Sequence, residues 1–276
     1  MILHIKLTLL IILIISNINY SFDDLEDCID EWPRCIDKSL NVVCKRKGTC
    51  RPLDNDCVSL EMDNDFRNHI LKEHNSFRNY IASGKEKRNG ATSASNMMVL
   101  NYDFDLEFSA TCTANKCEMK RDHCRRTRRF WYVGTNLYRG SLETSLEKEA
   151  VNNWYSEIVY MDPEVFPRYI VIQKASNFTQ VVWARTTHIG CGRAHSEGNY
   201  YLACNYGPSG NKLYRSVYKT GQPASNCPYN VNKSRKYPNL CGIAYEVNVA
   251  INLHDIHDII YGYMFISLFV VFFINK

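Results

Sequence analysis

The residues able to attack a carbonyl or move a proton are few and scattered. Ser156 adjoins Glu157, and His74 and His123 lie in separate segments, so a serine, histidines and an acid are all present for nucleophilic catalysis. Ser156 sits in "WYSE", however, and lacks the G-x-S-x-G turn that presents a serine as an exposed nucleophile. Twelve cysteines, at 28, 35, 44, 50, 57, 112, 117, 124, 191, 204, 227 and 241, are the other nucleophiles and the soft metal ligands. No two of them form the C-x-x-C spacing common in structural zinc sites. An even number behind an apolar leader points instead to a disulfide framework formed in an oxidising compartment, where free thiolates are not on offer.

Binding chemistry has more material. In "KRDHCRRTRRF", Lys120, Arg121, Arg125, Arg126, Arg128 and Arg129 surround Asp122, either as a solvated loop or as a patch for heparin-like polysaccharide or anionic lipid headgroups. Residues 126–129, "RTRR", also resemble a basic-pair processing site. The net charge of +4 is mild, and no stacking aromatics stand in a nucleic-acid-binding motif, so nucleic acid is not an expected partner. Beyond the apolar leader lie two glycosylation sequons, "NFT" at Asn177 and "NKS" at Asn232, and the second, inside a cysteine-bounded loop, is the better acceptor.

Helical periodicity supplies the elements that must position these groups. In "DNDFRNHILKEHNSFRNYIASG", Phe66, Ile70, His74, Phe77 and Ile81 share a face, with Asp63 or Asp65 as cap and Gly84 as stop. His74 on that face reads as a core histidine with its ring nitrogens satisfied. "DLEFSATCTANKCEMK", opened by Asp105, and "TSLEKEAVNNWYSEIVY" repeat the pattern. The second half changes to short β-branched or aromatic runs, "NFTQVVWA", "HIGCGRAH", "NYYLACNYG" and "LYRSVYK", between Gly, Ser and Asn, which predicts strands. Helices followed by short strands predict an α+β domain. The thirteen residues between Cys227 and Cys241 read as a small self-closed appendage.

The ends carry apolar runs. "MILHIKLTLLIILIIS" has the length of a secretory signal. Ile259 to Ile274, sixteen largely apolar residues, spans about 24 Å as a helix, short of a bilayer core of about 30 Å. With "NVA" and a polar spacer upstream, it fits a glycolipid-anchor signal or a short membrane anchor.

Five motifs in order, "KEHNSFRNYIASG", "ANKCEMKRDHC", "WYSEI", "NFTQVVW" and "YLACNYGPSGN", resemble the cysteine-rich secretory protein, antigen 5 and pathogenesis-related 1 (CAP) superfamily, most of all its antigen 5 or venom-allergen-like branch. The resemblance spans about residues 28 to 241. It implies a three-layer α-β-α sandwich and this partition: signal peptide 1–21, cysteine-rich segment 22–60, CAP domain 61–218, C-terminal disulfide loop 219–244, and spacer with hydrophobic tail 245–276. It further implies that Cys191 pairs with Cys204, that Cys117 and Cys124 each reach back to the N-terminal segment holding Cys28, Cys35, Cys44 and Cys57, that Cys50 and Cys112 pair as additions to the usual set, and that Cys227 pairs with Cys241.

Relatives hold two histidines and two acids in one cavity, a set able to ligate zinc. The matching positions here are Arg121, Thr135, Glu157 and Asn177, with His123 two residues beyond the first. Only Glu157 keeps ligand chemistry, so neither a metal nor another cofactor is expected, and Glu157 is expected to pair with Arg121 or His123 in a network completed by Thr135 and Asn177. Some relatives carry lipids, for which Tyr155, Ile158, Tyr160, Met161 and Phe166 are the candidate groove. The expectation is a secreted, non-catalytic binding protein, tethered if the tail is retained, whose partner is an extracellular target such as a lipid, a receptor or a heparin-like polyanion. The competing class is a metal-dependent or serine hydrolase using Glu157 with His123.

Overall fold

Helix starts follow the side chains able to cap them. In the computed structural model, which describes residues 25–141 and 146–247, Asp63 accepts the amide of Phe66 and opens a helix over Asn64–Ala82. Asp103 does the same for Leu106 and opens Phe104–Ala114. The expected cap Asp105 lies two residues too late and contributes only an acid to the first turn. We number the helices α1 (Leu25–Glu31), α2 (Val42–Lys45), α3 (Asn64–Ala82), α4 (Phe104–Ala114), α5 (Leu146–Ser156) and α6 (Ser176–Val181). The strands are β1 (Val58–Leu60), β2 (Asn101–Tyr102), β3 (Gly134–Gly140), β4 (His188–Ser196) and β5 (Asn199–Gly207).

The strands form one mixed sheet in the order β1-β4-β5-β3, with β2 pairing parallel to β4. β4 and β5 are a hairpin turned by Glu197 and Gly198, both with positive φ as a tight two-residue hairpin turn requires. β3 lies antiparallel to β5, with Thr135 opposite Asn205 and Gly134 opposite Tyr206. Because successive side chains point to opposite faces, these pairs mark the two sides of the sheet. Asn205 reaches the Leu106 carbonyl and Ser109 of α4, whereas Tyr206 reaches His74 of α3. Helices therefore cover both faces. On the first face α4 lies against Gly190 and Gly192, where a Cβ would run into the backbone of Glu107 and Asp103 or of Thr111. On the second, Trp154 of α5 is fully buried and donates its indole N–H to the Leu137 carbonyl.

Six disulfides staple the fold: Cys28–Cys44, Cys35–Cys124, Cys50–Cys112, Cys57–Cys117, Cys191–Cys204 and Cys227–Cys241. The first four bind the N-terminal segment within itself or to α4 and the loop after it. That segment also has its own small core, in which Trp32, Val42 and Val43 pack around Cys28, Cys44, Cys50 and Cys112, with Trp32 against Phe108.

Three expectations need correction. Residues 177–184, expected as a strand, begin inside helix α6, because the Thr179 hydroxyl returns to the Ala175 carbonyl and an acid elsewhere in the chain satisfies the free amides of the first turn. Residues 213–219 are irregular, tied to the body by single backbone bonds such as Tyr214 to the Tyr169 carbonyl and Val217 to the Phe166 carbonyl. The loop between Cys227 and Cys241 is no self-closed appendage: Leu240 and Cys241 are buried, and Cys241 exchanges backbone bonds with Met97 and Val99. Contacts divide the chain at Tyr245, and the second unit, Glu246–Lys276, adds only Glu246 and Val247 to the described residues. The expected signal and tail lie outside them, and among the described residues no helix is long and apolar enough to cross a membrane.

Candidate functional site

Four elements converge beside the open edge strand β3. The loop after α4, fixed at Cys117 and Cys124, carries Arg121. β3 presents Thr135 and Asn136, the one-turn helix Glu157–Tyr160 after α5 opens with Glu157, and the first turn of α6 carries Asn177.

Glu157 serves as the missing cap of α6. Ala175, in the cap position, has no side-chain acceptor. The Glu157 carboxylate replaces it by accepting the amides of Asn177 at 2.9 Å and Phe178 at 3.0 Å. Its other oxygen accepts Asn177 Nδ2 at 2.6 Å. The Asn177 Oδ1 accepts Arg121 Nη2 at 2.9 Å, while Arg121 Nε donates to the Thr135 carbonyl at 2.8 Å. Asn177 thus stands between a guanidinium and a carboxylate, accepting from one and donating to the other. Burial raises the Glu157 carboxyl above its ordinary value, against the opposing pull of the Asn177 and Phe178 donors and the Arg121 charge.

The expected pairing of Glu157 with Arg121 or His123 is therefore replaced by a relay through Asn177. His123 takes no part: its ring is 72 % exposed and its Nε2 faces Asp37, whose carboxyl is held down to about 2 by hydrogen bonds from Ser39 and then by His123. The cystine at Cys124 turns the preceding residue outward toward the N-terminal segment. The Thr135 hydroxyl also leaves the cavity, donating to Asn205 Oδ1 on the opposite face of the sheet. Asn136, which sequence reasoning missed, joins the relay to the core by donating Nδ2 to the Asn177 carbonyl at 3.0 Å and to the Tyr206 hydroxyl at 3.3 Å. Its place next to Thr135 on a predicted motif was the only available signal.

Behind Asn136 the polar chain is sealed. The Tyr206 hydroxyl donates to His74 Nε2, and His74 Nδ1 donates to the Ile70 carbonyl, both at 2.8 Å. Burial pushes His74 down to about 4, so the ring is neutral at physiological pH.

The serine-histidine-acid arrangement is not assembled. Ser156 donates to the Asn153 carbonyl on the surface, His74 is buried, and Glu157 faces Asn177. Nor do the cavity residues fit a divalent ion. Arg121 is itself a cation and cannot ligate one, the Thr135 hydroxyl is turned away, and Glu157, already engaged by three N–H donors, would be left as the one strong ligand of the four. Among the described residues no three His, Cys, Asp or Glu side chains come together in a way that would hold a metal.

Two expected surfaces are also revised. Tyr155, Ile158, Met161 and Phe166 are core residues, not groove walls: Tyr155 stacks on Phe77 and donates to the buried Glu86, and Phe166 packs against Phe178 and Tyr218. Tyr160 alone is exposed, with the Lys174 ammonium over its ring. The basic run does not make one patch, because unpaired carbonyls and rings of neighbouring elements draw its members apart. Arg125 is half-buried on the Val133 carbonyl, and desolvation lowers it to about 10. Arg126 lies 3.6 Å over Trp131 and donates to the Arg34 carbonyl. Arg128 turns to the Asp30 carbonyl and Arg129 to Asp103. Buried Thr127, bonded through backbone and side chain to Phe130, keeps residues 126–129 in a closed turn that does not suit a processing protease. Lys120 and Arg121 stay near the relay.

The sequons differ in the same physical terms. Both ends of the Asn177 amide are engaged, whereas Asn232 is exposed and, among the described residues, bonds only through its backbone carbonyl.

A two-faced α+β sheet, cystine-bound to its N-terminal segment and opening on a polar cleft beside β3, defines a class of disulfide-stapled extracellular scaffold. The profile "CAP: Cysteine-rich secretory protein family" matches residues 71–206. Scoloptoxin SSD43 of Scolopendra dehaani is 37% identical over 186 residues, covering 65% of this chain and 86% of that protein. Venom allergen 5.01 of Dolichovespula maculata is 33% identical over 221 residues, covering 76% of this chain and 96% of that protein. The solved structure of NaASP2 with Zn2+ superposes with a TM-score of 0.58 at 25% identity, over 69% of this chain and all of that one. The chain belongs to the CAP family. Its relatives are venom proteins, and its disulfide-rich fold suits secretion.

Proposed function

We propose that the chain is a secreted, venom-allergen-like CAP protein that acts by binding and not by turnover, and that its cavity has exchanged metal ligation for an ionic lock. The observation that carries this reading is the position of Asn177. Its amide is bonded to Arg121 and Glu157 at once, so the one remaining acid of the cavity is consumed in holding α6. A general base needs a free lone pair aimed at substrate, and three N–H donors already draw on both oxygens of Glu157 to hold α6 in place. A zinc-activated water needs three protein ligands, and a guanidinium occupies the place of one.

Calorimetric titration of the disulfide-intact protein with zinc chloride tests the reading. Heat no greater than that of a Glu157→Ala variant is expected. Stoichiometric zinc binding that disappears in Glu157→Ala would overturn it.

A further inference from the structure

The cleft over the lock carries three cations that have no salt-bridge partner among the described residues. Two adjoining concavities, about 490 and about 400 Å3, share Met119, Leu137 and Asn177. Lys120 and Arg121 line one, and Tyr138, Arg139 and Asn153 the other. None of Lys120, Arg121 and Arg139 forms a salt bridge among the described residues. The neighbouring carboxylates are engaged: Glu157 by its three donors, Asp122 by Lys116, and Glu149 by the Tyr138 hydroxyl.

Arg121 is also held ready. Two hydrogen bonds fix its guanidinium through Nε and Nη2, and Nη1 donates to no acceptor among the described residues. A donor fixed before a ligand arrives loses little entropy on binding, and a planar guanidinium suits carboxylate or sulfate oxygens. Beside it Met119, half of its surface exposed, and Leu137 offer apolar contact.

We propose that this cleft binds a small organic anion, a carboxylate or sulfate on an apolar body, with Arg121 as the central donor, Lys120 and Arg139 as flanking charges, and Met119 and Leu137 against the apolar part. The proposal rests on the binding-protein reading above and adds the ligand class: where a cation-ligating cavity is the family expectation, this one selects the opposite sign of charge.

Calorimetry with laurate and with estrone sulfate, against their uncharged counterparts dodecanol and estrone, tests it on the disulfide-intact protein. At least one of the anions should bind one per chain, and its neutral counterpart about tenfold more weakly or worse. Arg121→Gln should weaken binding by about tenfold. Arg139→Gln, which removes no bond seen within the described residues, should weaken it several-fold with an unchanged melting temperature. Laurate binding alone would identify a fatty acid-like ligand, and estrone sulfate alone a sulfated one; either supports the proposal. Failure of both anions, equal binding of the neutral counterparts, or unchanged affinity in both variants would overturn it. Such failure beside a silent zinc titration removes only the ligand class, whereas stoichiometric zinc binding removes the reading beneath it.

Discussion

Two arginine-centred networks lie within this domain, one sealed and one open. Arg78 of α3 is 0 % exposed and has no acid partner; it donates to the carbonyls of Met98, Val181, Trp183, Ala184 and Thr186. Arg121 is exposed, makes two hydrogen bonds, and keeps one nitrogen free among the described residues. Asn136 links the second network to Tyr206 and His74, neighbours of the first. The sealed set holds loops that would otherwise bury unsatisfied carbonyls, so its residues are fixed by the fold. The open set only has to close one helix end, and its outward side is the surface proposed above for recognition.

The largest effect that would break this contrast is in the sealed set. Arg78→Met should cost about 3–5 kcal/mol, since it strands several buried carbonyls at once, read as a lower urea midpoint. Retained stability would mean that the guanidinium is incidental. Next comes pH. His74 titrates at about 4 in the fold and near its ordinary value of 6.5 when released. Between those values the unfolded chain binds the additional proton, so stability should fall as pH drops from 6.5 toward 4, by up to about 3 kcal/mol. Urea midpoints across that range should show the slope, and His74→Gln should flatten it. In the open set, Glu157→Ala should cost about 1–3 kcal/mol for the three donors left without an acceptor, with the helical circular dichroism of the rest intact. The smallest effect is on the surface: peptide mapping of secreted protein should find glycan on Asn232 and none on Asn177, and Asn232→Gln should leave the urea midpoint unchanged.

The helices were legible because periodicity and capping are local. Phe66, Ile70, His74 and Ile81 announce α3, and His74 belongs to its buried face. Residues 177–184 misled because their β-branched composition reads as strand, while their helix is closed by Glu157, twenty residues upstream and invisible to any local pattern. The aromatic run at 155–166 showed apolar character but not whether it faced inward; the buried Glu86 that receives the Tyr155 hydroxyl decides that. The basic run failed as a patch for a related reason. Its charge is a sum over residues, whereas its geometry depends on which distant carbonyl each guanidinium finds. Arg139 could not have been assigned to the site from sequence, since only the pairing of β3 with β5 places it beside Arg121's loop.

The placement of Arg121 also reaches back to the cysteine-rich N-terminal segment. Its loop is pinned seven residues apart by Cys117 to Cys57 and by Cys124 to Cys35. The lead-in is thus the jig in which the proposed recognition surface is set, and a fragment trimmed to the helices and sheet would keep the scaffold's outline while losing the aim of its central donor.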